Sequence, residues 1–126
     1  MSLTKTVTKV VDNQTVAESA SLDLANSTAI GPTDTSTLIN LAIECTVTYH
    51  ASATAGCTVK LYASYDGTNY DSDPYDQFDL PFTANTTKSQ TFAVNPAPKY
   101  LKVGVTNLDT AQDITAFSAW AHTQVA

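Results

Sequence analysis

The run Leu38-Ile39-Asn40-Leu41-Ala42-Ile43-Glu44-Cys45-Thr46-Val47-Thr48-Tyr49-His50 decides the fold. Ile39, Leu41, Ile43, Cys45, Val47 and Tyr49 fall on one side, and Asn40, Glu44, Thr46, Thr48 and His50 on the other. A period of two belongs to a strand, because successive side chains point to opposite faces. The pattern therefore predicts a strand with one buried face. The next segment repeats it, with Cys57, Val59, Leu61, Ala63 and Tyr65 inward and Thr58, Lys60, Tyr62 and Ser64 outward. Between them, Ala51 to Gly56 is small and polar and reads as a hairpin tip.

Farther out, Tyr100 to Thr106 alternates clearly, with Leu101, Val103 and Val105 on one side. Ile114 to His122 is strand-like, but its faces are less distinct. Lys5 to Val11, Val16 to Ala25 and Lys88 to Val94 are weaker strand candidates. Within Ala17 to Leu24 a helical turn is conceivable, but a strand fits slightly better. Gly31-Pro32, Asp66-Gly67, Asp73-Pro74, Asn95-Pro96-Ala97-Pro98 and Asn107-Leu108-Asp109 break the pattern as turns. The segment from Asp71 to Pro81 is polar and reads as an irregular loop. The expected fold is all-β: a single-domain β-sandwich or jelly roll of about seven or eight antiparallel strands over residues 1–126. Residues 1–12 are expected as an N-terminal arm or an edge strand. The 21 threonines support the class, because β-branched side chains suit a pleated surface.

Composition excludes several functions. Twelve acids oppose six lysines, Lys5, Lys9, Lys60, Lys88, Lys99 and Lys102, and the chain has no Arg. Nucleic-acid binding needs clustered cations and base reading leans on Arg, so no direct nucleic-acid contact is expected. The net charge of −6 disfavours anionic membranes as well. No apolar run approaches the ~18 residues of a spanning helix, so no membrane segment is expected. The opening Met1-Ser2-Leu3-Thr4-Lys5-Thr6 has no apolar stretch, so no signal peptide is expected.

Two cysteines, Cys45 and Cys57, lie equidistant from position 51. A hairpin there sets them face to face, either as two buried thiols or as a cross-strand disulfide. With only His50 and His122 available, a zinc site is not expected. Asp66, Asp71, Asp73, Asp76 and Asp79 form an acidic cluster. Asp at such spacing serves mainly as turn chemistry. Asp66, Asp71, Asp73 and Asp76 are nonetheless weak Ca²⁺ candidates, without the spacing of an EF-hand. No nucleophile elbow and no Gly-rich phosphate loop occurs, so neither an enzyme nor a cofactor is expected. Tyr62, Tyr65, Tyr70, Tyr75, Phe78 and Phe82 crowd around the acidic stretch. Aromatics with one apolar and one wet end suit a contact surface or a sugar platform, though strands are rich in Tyr in any case. Asn13, Asn26 and Asn85 open Asn-x-Thr/Ser triplets, which a Thr-rich chain produces by chance.

Two stretches carry a resemblance. Lys60-Leu61-Tyr62-Ala63-Ser64-Tyr65-Asp66-Gly67-Thr68-Asn69-Tyr70-Asp71 is a strand leading into an Asp-Gly turn, and Lys99-Tyr100-Leu101-Lys102-Val103-Gly104-Val105-Thr106-Asn107-Leu108-Asp109 is a strand of the Tyr-Leu-Lys-Val type. Over residues 38–122 the pattern resembles small β-sandwich structural proteins of tailed-bacteriophage virions, namely head decoration (cement) proteins and related tail or fibre modules. The resemblance implies a non-enzymatic virion protein that stabilises the head from outside. Its implied partners are the major capsid protein, or another virion protein, and further copies of itself, with a trimer favoured. The expected contact residues are Leu3, Lys5, Val7, Lys9 and Val11 of the arm and Tyr62, Tyr70, Tyr75, Phe78 and Phe82. The alternative reading is a carbohydrate-binding module or the receptor-binding tip of a fibre.

Overall fold

Seven strands form in the computed structural model, which describes residues 3–31 and 38–125. They are β1 (Thr4–Val16), β2 (Leu38–Tyr49), β3 (Cys57–Ser64), β4 (Asp76–Asp79), β5 (Thr87–Val94), β6 (Tyr100–Asn107) and β7 (Ile114–Val125). All pairings are antiparallel. One sheet has the order β1-β7-β2-β5 and the other β4-β3-β6. The fold is a β-sandwich, as the alternation predicts. Of the turn at Gly31-Pro32 and the arm beginning at Ser2, Pro32 and Ser2 lie outside the described residues.

The core is the space between the sheets. From one side β2 supplies Leu41, Ile43, Cys45, Val47 and Tyr49, all 4 % exposed or less. From the other, Val59, Leu61, Leu101 and Val103 are fully buried. Phe78 of β4 stacks on Phe92 of β5, with ring centroids 4.4 Å apart, and so joins the sheets along one flank. On the opposite flank the chain between β1 and β2 runs beside β6. Leu22 N–H donates to Val105 O, Ile30 and Leu101 exchange backbone bonds, and Thr28 N–H donates to Val10 O.

Five expectations need correction. Ala51 to Gly56 is not a hairpin tip: β2 and β3 lie in different sheets, so this connection crosses the sandwich. Cys45 and Cys57 are therefore not cross-strand neighbours; both are free, buried thiols. Val16 to Ala25 is not a strand either. Beyond β1 it makes a turn, a single bridge from Ser21 to Thr106, and a 3-10 turn at Leu24–Asn26 capped by Asp23. Asp23 accepts from Ala25 N–H, and this local bond competes with strand pairing. The stretch from Asp71 to Pro81 is not wholly irregular, since it holds β4. Finally, Tyr65 is 79 % exposed while Ser64 is buried, because the alternation of β3 ends where the next turn begins.

Bulges explain the weak periodicity elsewhere. From Thr46↔Ser118 to Thr48↔Thr115, β7 carries one more residue than β2, and Ala116 takes φ of 52°. The extra residue puts Phe117, Ser118 and Ala119 all in buried positions. A register shift between Leu38 and Asn40 likewise leaves Ile39 46 % exposed instead of inward. In β1 the shifts around Val11 and Gln14 bury Val10 and Val11 side by side.

Candidate functional site

The acidic turn after β3 is built from one carboxylate. Asp66 Oδ1 accepts from Thr68 N–H at 2.9 Å, Asn69 N–H at 2.8 Å and Ser64 Oγ at 3.0 Å, while Oδ2 accepts from Asn69 Nδ2 at 2.7 Å. These donors hold its pKa well below the ordinary carboxylate range, the Asn69 N–H first among them. Gly67 follows at φ of 78°, and a Cβ there would sit 2.9 Å from the Tyr100 ring. The turn therefore needs Gly for its backbone and for the space. Asp66 is a turn scaffold, both of its oxygens engaged by local donors. Among the described residues no group of three His, Cys, Asp or Glu side chains converges as a metal set, so the Ca²⁺ candidates Asp66, Asp71, Asp73 and Asp76 do not assemble.

A second scaffold that sequence reasoning missed sits at the other end of the sandwich. Asp109 is 1 % exposed. Its Oδ2 accepts from Thr54 N–H at 2.7 Å and Ala55 N–H at 3.2 Å; Oδ1 accepts from Ala111 and Gln112 N–H. These bonds, Thr54 first, lower its pKa to about 2. Asn107 beside it donates to the carbonyls of Val16, Ala17 and Gln112. Together they tie the β2–β3 crossover to the β6–β7 turn. The only hint in the sequence is the Asn107-Leu108-Asp109 turn signal.

The expected aromatic contact residues do not form one platform. Tyr62 lies on the outer face of the three-stranded sheet, above Gly104, where a Cβ would come within 3.2 Å of its ring. Tyr70 is linked to it through Lys102, the cross-strand partner of Tyr62: Lys102 Nζ lies 5.0 Å from the Tyr70 ring centre and donates to Leu24 O. Burial, then the Asp66 charge, raises the Tyr70 pKa. Tyr75 is 40 % exposed and its hydroxyl donates to Asn95 O. Phe78 is packed between the sheets against Phe92. Phe82 meets Tyr49 edge-on at 5.0 Å, at the Gly56 end. Only Tyr62 and Tyr70 share a surface.

The arm residues divide in two. Leu3 and Val7 are 53 % and 57 % exposed, and Lys5 and Lys9 are exposed with them. From Thr4 to Lys9 the strand is exposed on both faces and pairs only with β7. Val11 is different: it is 1 % exposed and belongs to the core, so it offers no contact surface.

Among the described residues no nucleophile is assembled with a base. His50 Nδ1 accepts from Ser52 N–H at 2.9 Å. His122 Nε2 pairs with Glu44 Oε1 at 2.8 Å across adjacent strands. Burial pushes the Cys45 thiol up to about 12 and the Cys57 thiol up to about 11. Neither is a thiolate at neutral pH. No helix among the described residues is long and apolar enough to cross a membrane.

No protein-family model matches the chain, and no curated protein matches it by sequence. Solved structures do match by shape. One is a chain of the Bacillus endospore appendages, a family of disulfide-linked pili, with TM-score 0.50 and 13 % identity over 100 % of this chain and 93 % of that one. Another is a chain of infectious bursal disease virus, Gx strain, with TM-score 0.52 and 12 % identity, covering 98 % of this chain and 33 % of that one. At such identities the likeness is one of fold: this chain shares its β-sandwich architecture with a pilus chain and a virus chain.

Proposed function

We propose that this chain is a non-enzymatic structural subunit that acts in many copies on a larger particle. In its sharper form, it is a decoration or stabilising protein on the outside of a virion head, bound as a multimer to the major capsid protein. The observation that carries this reading is the open edge of β1. Among the described residues nothing pairs with the outer side of Thr4 to Lys9, and both of its side-chain faces are exposed. An exposed edge is ready to receive or join a strand of a neighbour, giving main-chain affinity with little demand on sequence. Many weak contacts of this kind add up on a symmetric lattice. The sequence resemblance to virion sandwich proteins supports the sharper form, and the pilus and virus chains of like fold support the coarser one.

The test is mass spectrometry of density-banded particles from the source culture. Hundreds of copies per particle beside a major capsid protein are expected. A handful of copies moves the protein to the tail or a fibre. Its absence from particles, with abundance in the soluble extract, overturns the virion reading.

A further inference from the structure

The outer face of the four-stranded sheet carries a groove of about 510 Å³. Sheet register explains it. Val7, His122, Ala42 and Ala93 lie in one row across the four strands. The two alanines are small, and longer side chains stand on both sides of them. Lys5, Gln124 and Asn40 form one flanking row, and Lys9, Trp120, Glu44 and Thr91 the other. Asn40 Nδ2 donates to Gln124 Oε1 at 2.8 Å along that wall. The volume lies in the ~300–1,000 Å³ range of sites that take compact ligands.

The groove's charge is unusual for so acidic a chain. Glu44, the one carboxylate in these three rows, is held by His122. Lys9 is matched by Asp12 at 2.7 Å and lies over the Trp120 ring. Among the described residues Lys5 has no carboxylate partner. An anionic occupant is thus favoured.

The same chain displays such an occupant. The loop from Asp71 to Asp76 is clamped at both ends, by Asp71 N–H to Ala63 O at 2.9 Å and Tyr75 N–H to Leu61 O at 2.7 Å. Asp66, Asp79 and Asp109 have their carboxylates engaged inside the fold. Asp71 and Asp73 are exposed, and among the described residues neither carboxylate accepts a hydrogen bond or an ion pair. The loop belongs to the three-stranded sheet, and none of its residues lines the groove.

We propose that the Asp71–Asp76 loop of one copy docks in the groove beside Lys5 of the next. This deepens the assembly reading above by naming the partner as a second copy, and it rests on that reading. Loop and groove are different patches of one chain, so the contact is head-to-tail. It extends into a row of copies or closes into a ring, according to the rotation between neighbours. Lys5 meets Asp71 and Asp73, and Tyr75, 40 % exposed, supplies apolar area against Val7 and the alanines.

Sedimentation of the purified full chain at about 0.02 M and about 0.5 M salt tests it, because exposed ion pairs are screened over this range. Concentration-dependent association at low salt, weakened at high salt, is expected. Lys5→Glu alone, and Asp71→Lys with Asp73→Lys, should each weaken association by about tenfold or more. Combining all three substitutions in one chain, or mixing the two variant proteins, should restore it. All three positions are exposed, so far-UV dichroism and Tm should stay near wild type. A wild type that stays monomeric at low salt, variants that associate like wild type, or a charge swap that fails to rescue would overturn the proposal. If these fail while particles still carry the protein in hundreds of copies, the virion reading stands and only the contact is wrong.

Discussion

Deleting residues 1–9 and deleting residues 1–11 should give sharply different proteins. The shorter deletion removes six strand pairs, Thr4↔Val125 through Lys9↔Trp120, and, among the described residues, no buried side chain. Each backbone bond lost contributes about 0.5–1.5 kcal/mol. Each residue no longer ordered returns about 1–2 kcal/mol of backbone entropy. The two roughly cancel, so this deletion should move stability little. The longer deletion also removes Val10 and Val11, which are 3 % and 1 % exposed. Burial of each valine contributes about 1.5–3 kcal/mol, so about 3–6 kcal/mol goes with the pair. That is a large part of the ~5–15 kcal/mol that holds a domain together. Val10 O is also the acceptor for Thr28 N–H, so the strap over the flank loosens as well. Urea unfolding followed by dichroism is the assay. With a slope of about 1.5 kcal/mol/M, the longer deletion should lower the midpoint by about 2–4 M and the shorter by less than about 0.7 M. Equal midpoints for the two deletions would refute the division of β1 into an exposed half and a core half. The nine-residue deletion is also the one to use in particle binding, since it removes the open edge and leaves the core intact.

Four other outcomes follow from named contacts. Gly67→Ala should cost about 1–2 kcal/mol from its φ of 78°, plus the displacement of the Tyr100 ring; a Tm within error of wild type would contradict that turn geometry. Phe117→Ala should destabilise by about 3–5 kcal/mol in urea unfolding, because its ring is fully buried at the bulge of β7. Cys45 and Cys57 should stay unmodified by a thiol reagent at pH 8 in the folded protein and react on unfolding, since burial pushes both pKa values up, to about 12 and about 11. Asp109 has its pKa lowered to about 2 in the fold from an ordinary 3.8, so its stabilisation is present above about pH 4 and is lost as pH falls towards 2; Asp109→Asn should lower Tm at pH 7 and flatten the acid side of a Tm–pH profile.

The strands that were legible in the sequence are those with unbroken pairing. β2 from Leu41 to Tyr49 and β6 from Leu101 to Val105 alternate without interruption, and every residue expected inward there is buried. Where the ladder carries an extra residue the alternation breaks, as at Ala116 and around Val11. A two-residue period cannot show this, because a bulge puts neighbours on the same face. Topology was less legible still. The small residues from Ala51 to Gly56 suit a hairpin tip, but they also suit a crossover whose backbone is gathered by Asp109, 54 residues away in sequence. Local composition does not distinguish a turn that closes on its own strand from one held by a distant carboxylate. Of the expected contact residues, Leu3, Lys5, Val7 and Lys9 are exposed on or beside β1. Val11 and Phe78 were misassigned because an apolar residue on an edge strand reads the same whether it faces a partner or the core.

The edges of the two sheets are treated unequally, and this bears on assembly. The β6 edge is covered by the chain through Leu22 and Ile30. β4 is only four residues long, which limits what can pair with it. Beyond Val10, β1 is covered by Thr28. Among the described residues, what remains open is Thr4 to Lys9 of β1 and the eight residues of β5, at opposite sides of one sheet. A chain avoiding all association would protect these as it protects β6. Lysine is one such protection, and β1 carries Lys5 and Lys9 while β5 carries Lys88. Lysines deter partners that are neutral or basic and admit acidic ones. With twelve acids in the sequence, and Asp71 and Asp73 displayed on a clamped loop, another copy of this chain is such an acidic partner. Open edges and lysines together therefore select among partners instead of excluding them, as a subunit of an ordered assembly requires.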